Sequence, residues 1–340
     1  MTTRLNILDL FCGIGGFSTG FEFAGHTTIA GVDFDPIALT SFQANHPHAE
    51  AHCMDVREFA ATVASRYRGV VNTVLASPSC KAYSTANRLK VGAGGDEATA
   101  GIAIVEVVRA IEPQFVVVEN VRAYIESDTF RSVQQQLEAM GYRATIAVVN
   151  AADLGVPQER IRAIARFERD GARELPPPCG VPTTIPGCYP KVEQVGWQAV
   201  TADLFDTLHV EQVTDGQSRF LNRFALLPTD RPMLIRRTGI NVNTGQPRAG
   251  DRPAHTVVAL GHNRCWLLWS IVYFLHEPEQ GGVWWSGAIF LRPSIEFYAR
   301  IQTFPDRYKH HPEPHNAMRG IGNAVPPMLS AAIARSLQKL

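Results

Sequence analysis

Asn6-Ile7-Leu8-Asp9-Leu10-Phe11-Cys12-Gly13-Ile14-Gly15-Gly16-Phe17-Ser18 is the stretch on which the fold turns. Its first six residues read as a buried strand, glycines then interrupt the run, and Phe17, Phe21 and Ala24 recur at helical spacing over 17–24. Strand, glycine turn and helix in that order make a βα unit whose turn lets a ligand approach the backbone and the amino end of the helix. The turn departs from the dinucleotide fingerprint, because Ser18 stands where a third glycine is expected. With no diphosphate to cradle, Gly13, Gly15 and Gly16 suit a different adenosyl ligand.

The same alternation continues outward. Residues 28–32 read as a strand ending at Asp33, and 36–45 as a helix with Pro36 in its first turn. A short strand over 52–54 precedes Asp55, and an apolar run over 70–75 leads into Ala76-Ser77-Pro78-Ser79-Cys80-Lys81-Ala82-Tyr83-Ser84. A helix over 102–111, a strand over 115–118 ending in Glu119-Asn120-Val121, a helix over 129–140 closed by Gly141, and strands over 144–149 and 161–167 follow. Repeated βα units predict an α/β fold with a mostly parallel, doubly wound sheet. Beyond Phe167 the proline-punctuated run 176–190 continues neither helix nor central strand. It leads into a second region, reaching about 289, whose short and poorly periodic apolar runs predict a smaller irregular domain. A helical pattern resumes at Ser294, and a last helix is expected over 328–340.

Length leaves room for one large core and a smaller module. Charges balance at 32 basic against 32 acidic residues, which excludes a whole-chain polyelectrolyte. Between Arg219 and Arg264, however, eight arginines stand against only Asp230 and Asp251, a pointer to a phosphate-bearing partner. The six cysteines form no CxxC pair and no Cys/His ligand spacing, so neither a metal nor a disulfide framework is expected. The amino terminus lacks a signal-peptide pattern and no segment has the apolar length of a membrane span, so a cytoplasmic setting without a membrane partner is expected.

In an open α/β sheet, residues just beyond the carboxyl ends of the strands line the ligand crevice. Asp33 is placed there to bind ribose hydroxyls, Phe11 and Phe34 to flank an adenine, and Asp55 to accept from an exocyclic amine, although a strand-end Asp is also a common helix cap. Cys80 and Glu119 follow neighbouring strands and face one another as nucleophile and acid. Cysteine is more often inert packing, the reading given to Cys53 and Cys265, and Glu119 has the alternative of a strand-end salt bridge. Cys80 differs in sitting among Ser, Pro, Lys and Tyr. A thiol ionises near a pKa of about 8.5, so a nucleophile there needs adjacent positive charge.

Taken together, these residues resemble the cytosine carbon-5 DNA methyltransferases from end to end. Residues 9–17 are similar to the family's cofactor loop, and Asp33-Phe34-Asp35 to its ribose and adenine contact. Cys80 falls where the family carries its Pro-Cys nucleophile, and Glu119-Asn120-Val121 matches its Glu-Asn-Val motif. Pro157-Gln158-Glu159-Arg160-Ile161-Arg162 matches its Gln-x-Arg-x-Arg motif, and 300–306 and 321–326 match its two carboxyl-terminal blocks. The resemblance implies a Rossmann-like methyltransferase fold over 1–170, a target-recognition domain over 171–290, and a return segment over 291–340 that completes the catalytic domain and includes Asn323 among the cofactor residues. It implies S-adenosylmethionine as methyl donor and double-stranded DNA as partner. Cys80 would add to carbon 6 of a flipped cytosine, protonated Glu119 would donate to N3 with Asn120 holding it, and Arg162 would bind O2 with Arg160 in support. Residues 82–99 read as a mobile loop closing over the DNA. The enzyme would be either the modification arm of a restriction–modification system, with a cognate restriction endonuclease acting separately, or an orphan methyltransferase.

Two positions depart from the family pattern: Ser79 replaces the proline before the nucleophile, with Pro displaced to 78, and Lys81 replaces the usual glutamine after it. Other readings stay open. A tRNA methyltransferase would share the chemistry, although the size of the recognition region favours DNA. A NAD-dependent oxidoreductase would want a glycine at 18 and would give Cys80 and Glu119 no role, and a catalytically silent DNA-binding homologue is expected to have lost one of the two.

Overall fold

A computed structural model describes residues 4–79, 96–169, 192–211, 232–236, 247–257, 269–274 and 288–337. Its first half runs β1 (Asn6–Leu10), α1 (Gly16–Phe23), β2 (Thr27–Asp33), α2 (Pro36–Asn45), β3 (Glu50–Cys53), α3 (Val56–Thr62), β4 (Thr73–Ala76), α4 (Asp96–Ile111), β5 (Phe115–Asn120), α5 (Arg122–Ile125), α6 (Asp128–Ala139), β6 (Tyr142–Asn150) and β7 (Ile161–Arg169). These strands form one seven-stranded sheet in the order β3-β2-β1-β4-β5-β7-β6, parallel except that β7 runs against both of its neighbours. The order reverses between β1 and β4, the switch point at which an open sheet places its crevice.

Register decides what gathers there. Leu10 lies beside Val32 on one side and Ala76 on the other, and Ala76 lies beside Val118. Phe11, Asp33, Ser77 and Glu119 therefore leave the sheet along one rim. Successive side chains of a strand point to opposite faces, and here both faces are covered. Leu8, Leu10, Val74, Val116 and Val118 pack with Phe59, Ile104, Val108 and Leu137 from the helices of one side. Ile7, Leu75 and Val117 meet Phe17 and Phe21 of α1 on the other.

The end of the chain returns to that second face. After α7 (Ile295–Ile301) and α8 (Pro314–Asn323), α9 (Pro327–Leu337) buries Leu329, Ile333 and Leu337 in the same cluster. Each such side chain contributes about 1.5–3 kcal/mol of burial, enough to hold the last helix on the first. Ser330 Oγ adds a hydrogen bond to Phe17 O at 2.5 Å.

The region expected to be irregular instead contains a second sheet. β8 (His209–Glu211), β9 (Met233–Arg236), β10 (Arg248–Ala249), β11 (Trp269–Phe274) and β12 (Ala288–Arg292) pair antiparallel in the order β10-β9-β11-β12-β8. Strands of two to six residues paired across long connections leave little local signal, which is why periodicity missed them. β12 also runs through the expected boundary at 290. Leu234 and Leu291 from this sheet share a buried cluster with Trp197, Phe297, Ile301 and Ile321, and with Ile14 of the glycine turn. The glycine turn and the second sheet are thus parts of one packed body.

α4 begins at Asp96 rather than at 102. The apolar period starts only at Ile102, whereas Asp96 and Glu97 suit the positive amino end of a helix. The loop expected over 82–99 therefore ends in helix at 96, and its earlier residues lie outside the described ones. No helix among the described residues is long and apolar enough to cross a membrane.

Candidate active site

The glycine turn reverses direction through Phe11 (φ 60°), Gly13 (φ 54°) and Gly15 (φ 96°), left-handed conformations of which glycine alone bears little cost. Gly15 N closes the turn on Cys12 O at 2.8 Å, and Cys12 N reaches Val32 O at 3.1 Å, which fastens it to the end of β2. Asp33 Oδ2 accepts from Gly13 N at 2.8 Å and Asp33 Oδ1 from Asp35 N at 2.9 Å. Each carboxylate oxygen retains a lone pair, so Asp33 can still accept from a diol. Burial pushes its carboxyl upward, against the pull of those two N–H groups. Phe34, beside it, is 72 % exposed, a large apolar ring without cover. A side-chain carbon built on Gly13 would meet nothing within 4 Å. An open backbone, a diol acceptor and an uncovered aromatic ring on one rim fit an adenosyl ligand.

Asp9 holds the turn in place, a part that sequence reasoning passed over. It is fully buried one residue before the end of β1 and accepts from Ser18 N at 3.2 Å and from Ser18 Oγ at 2.7 Å, so the residue in place of the third glycine ties helix α1 to the strand. Burial pushes the Asp9 carboxyl up to about 7 against the hydrogen bonds from Ser18. A carboxyl with a raised folded pKa binds a proton that the unfolded chain has lost, so its contribution is full below the ordinary value of 3.8 and disappears as pH rises through 7. Asp9→Asn is expected to remove that slope, worth on the order of 4 kcal/mol at most. Thermal melts from pH 4 to 8 check this, and a variant with an unchanged slope contradicts it. Cys12, beneath the same turn, is buried, and burial together with Asp9 and Asp33 pushes its thiol well up, so it is a protonated packing residue.

At the neighbouring strand ends, Glu119 is 6 % exposed and Arg162 Nε lies 3.0 Å from its Oε1. The contact is ionic rather than directed, because Oε1 accepts no aligned hydrogen bond among the described residues. Antiparallel pairing of β5 with β7 sets Asn120 beside Ala163, which carries Arg162 to the rim. Asn120 Nδ2 donates to Pro78 O at 2.8 Å, and its Oδ1 accepts from Val121 N at 2.8 Å. It thereby fixes the chain as β4 exits towards position 80. Cys80 itself, and Lys81 after it, lie outside the described residues.

Residues 157–162 divide their work by alternation along the chain. Gln158 is fully buried, donates to Ile301 O at 3.1 Å and Gln302 Oε1 at 2.5 Å, and accepts from Val257 N at 2.9 Å. Arg160 is buried and donates to Val257 O at 2.9 Å, Ala324 O at 3.1 Å and Gly322 O at 3.4 Å. It caps the carboxyl end of α8, where carbonyls lack helical partners. Glu159 points the other way and takes both arms of Arg248, at 3.1 and 2.5 Å. Arg162 alone reaches the rim acid. Arg160, expected to support Arg162 and nearby backbone, holds the carbonyls of Val257, Gly322 and Ala324, and Arg248, counted among the arginines available to phosphate, is held by Glu159.

Three further positions carry details that the residues alone did not give. Both Asp55 oxygens are engaged by Arg57, which donates from its backbone N at 2.7 Å, Nε at 2.8 Å and Nη2 at 2.7 Å, so Asp55 caps α3 while Oδ2 keeps a lone pair for a further donor. Those bonds hold its carboxyl below its usual value. Cys53, read as packing, is exposed, because β3 is an edge strand with little cover. Cys265 lies outside the described residues. Asn323 is exposed at the end of α8, while its neighbours Ala324 and Val325 approach the glycine turn at Gly16. Among the described residues no group of His, Cys, Asp and Glu is arranged to hold a metal ion.

The family model described as C-5 cytosine-specific DNA methylase matches residues 5–228 and 294–339. The chain is 31 % identical to the type II methyltransferase M.HgiDI of Herpetosiphon aurantiacus, with 98 % of this chain and 94 % of that protein aligned. It is 27 % identical to the type II methyltransferase M1.HphI of Haemophilus parahaemolyticus, over 99 % of this chain and 87 % of that one. Its fold is similar to that of the S. pombe Dnmt2 methyltransferase, with a TM-score of 0.64, 15 % identity and 98 % of each chain covered.

Proposed function

Because this chain belongs to the C-5 cytosine-specific DNA methylase family, we propose that it methylates carbon 5 of a flipped-out cytosine in a specific duplex sequence through a covalent adduct on Cys80. It is a cytosine-5 DNA methyltransferase whose relatives are type II enzymes. The observation that carries the mechanistic reading is the buried Glu119–Arg162 pair at the strand end next to the exit of β4.

Carbon 5 of cytosine is a weak nucleophile. Addition of the Cys80 thiolate to carbon 6 makes the ring an enamine, and carbon 5 becomes electron-rich. Arg162 binds the ring O2, while Glu119 turns from the guanidinium to N3 and delivers the proton it takes up as the base enters. Asn120 holds the Pro78 carbonyl, and with it the approach of Cys80. Phe11, Gly13, Gly15, Gly16, Asp33 and Phe34 hold S-adenosylmethionine, with Asn323 at the margin of the site and Asp55 supporting the rim as a cap. S-adenosylmethionine, when bound, supplies an electrophilic methyl group. Loss of the carbon-5 proton and β-elimination then restore the thiolate.

A base inside a duplex is out of reach of this rim, so it leaves the stack, and residues 171–290 read the flanking sequence between the two parts of the catalytic domain. The host cytoplasm, and a cognate endonuclease acting separately, complete the proposed setting. Incubating the enzyme with labelled S-adenosylmethionine and either duplex DNA or tRNA tests the substrate. Label is expected in DNA alone, and label in tRNA alone would sink the assignment.

A further inference from the structure

Beneath the glycine turn lies a chain of buried polar groups that methyl transfer itself does not use. Thr19 Oγ1 is 2.7 Å from Gly15 O, 3.2 Å from His46 Nε2 and 3.5 Å from Tyr308 Oη. Tyr308 Oη donates to Ile14 O. His46 Nδ1 is 3.0 Å from Glu22 Oε1, which also meets His48 Nε2 at 3.1 Å. His46 is 1 % exposed, and its ring lies over Phe42 with centroids 4.8 Å apart. Gly15 leaves no gap: a side-chain carbon there would come within 2.6 Å of His46 Nε2.

Counting hydrogens assigns the ring. A hydroxyl has one proton to give, and Thr19 gives its own to Gly15 O, the shorter contact, as Tyr308 gives its own to Ile14 O. A carboxylate only accepts, so Nδ1, facing Glu22, carries a hydrogen, and Nε2 faces the Thr19 hydroxyl. Burial works against the Glu22 charge, but the hydrogen bond and charge of His46 outweigh it and hold that carboxyl below its ordinary value.

We propose that His46 is a positioning residue for the cofactor turn: a buried histidine, anchored by Glu22, that orients Thr19 so that Thr19 and Tyr308 fix the carbonyls of Gly15 and Ile14. This rests on the reading that the turn holds S-adenosylmethionine. Fixing those carbonyls also fixes the peptides that join the turn to α1. His46 touches neither ligand nor reacting atoms, so its loss acts on cofactor affinity and leaves the rate at saturation alone.

The test compares the wild type with His46→Leu and His46→Gln, the latter keeping an N–H for Thr19. Losing a charge-assisted bond at this site is expected to raise the Kd and KM for S-adenosylmethionine about 10- to 100-fold in His46→Leu, with kcat and the KM for DNA within about twofold. His46→Gln is expected to recover most of the affinity. NMR of the wild type, labelled with 15N at histidine, is expected to show a hydrogen fixed on His46 Nδ1, a result that needs no variant to fold. An Nδ1 without a hydrogen, an unchanged cofactor KM in His46→Leu, or a fall in kcat at constant KM would each overturn the proposal. A wild type that does not bind S-adenosylmethionine would overturn the reading beneath it as well.

Discussion

Cys80→Ser is expected to lose turnover by about 10⁴-fold or more, while the Kd for S-adenosylmethionine stays within about twofold of wild type. A serine hydroxyl keeps the geometry of the thiol but does not ionise in the accessible range, so the adduct that activates carbon 5 is not formed. Cofactor binding survives because Phe11, Gly13, Asp33 and Phe34 belong to the β1 and β2 ends, whereas Cys80 follows β4. The companion change, Glu119→Gln, keeps shape and burial but cannot transfer a proton. General acids contribute about 10²- to 10⁴-fold, so a loss in that range is expected, again at unchanged cofactor affinity. Single-turnover kinetics with saturating DNA separate both effects from binding. Residual turnover within tenfold of wild type in either variant would remove that residue from the chemistry.

The two arginines of the 157–162 stretch should separate stability from catalysis. Arg160→Leu strips hydrogen bonds from the carbonyls of Val257, Gly322 and Ala324, all in a buried junction that joins β7, the second region and the end of α8. Leaving buried acceptors unpaired costs about 1–3 kcal/mol each. A loss of that order in denaturant melts is expected. Arg162→Gln, at the rim, keeps an N–H donor for the buried Glu119 and for the carbonyl of Ile161, and is expected to cost less than about 2 kcal/mol in stability. Its penalty falls on turnover, by about 10²-fold or more, because the ring O2 loses its cation. Equal destabilisation of the two variants would contradict this division.

What could be read from the residues follows from how far apart the interacting groups lie in the chain. The βα alternation, the glycine turn and the strand-end Asp33 and Glu119 declare themselves over a few neighbouring positions, and the sheet order and register then gather them on one rim. Arg162 and Arg160 look equivalent in sequence, two residues apart on either side of the start of β7. Only the antiparallel pairing with β5 separates the one that meets Glu119 from the one that meets backbone. Glu159 and Arg248 are 89 residues apart, and His46 and Glu22 are 24 apart, so no local pattern announces either pair. Asp55 reads two ways for the opposite reason: the signal of a strand-end acid is shared by ligand contacts and helix caps, and the structure shows the cap, made with Arg57 two residues on. The second sheet stayed hidden because its strands are short and their partners remote.

The covalent step is the centre of the account. A duplex containing 5-fluorocytosine at the target position is incubated with S-adenosylmethionine and the enzyme, and the product is digested and mapped by mass spectrometry. Fluorine at carbon 5 blocks the elimination that frees the enzyme, so a stable, methylated adduct on the peptide containing Cys80 is the predicted result. Methylated DNA without any protein adduct, or an adduct on another residue, would contradict it.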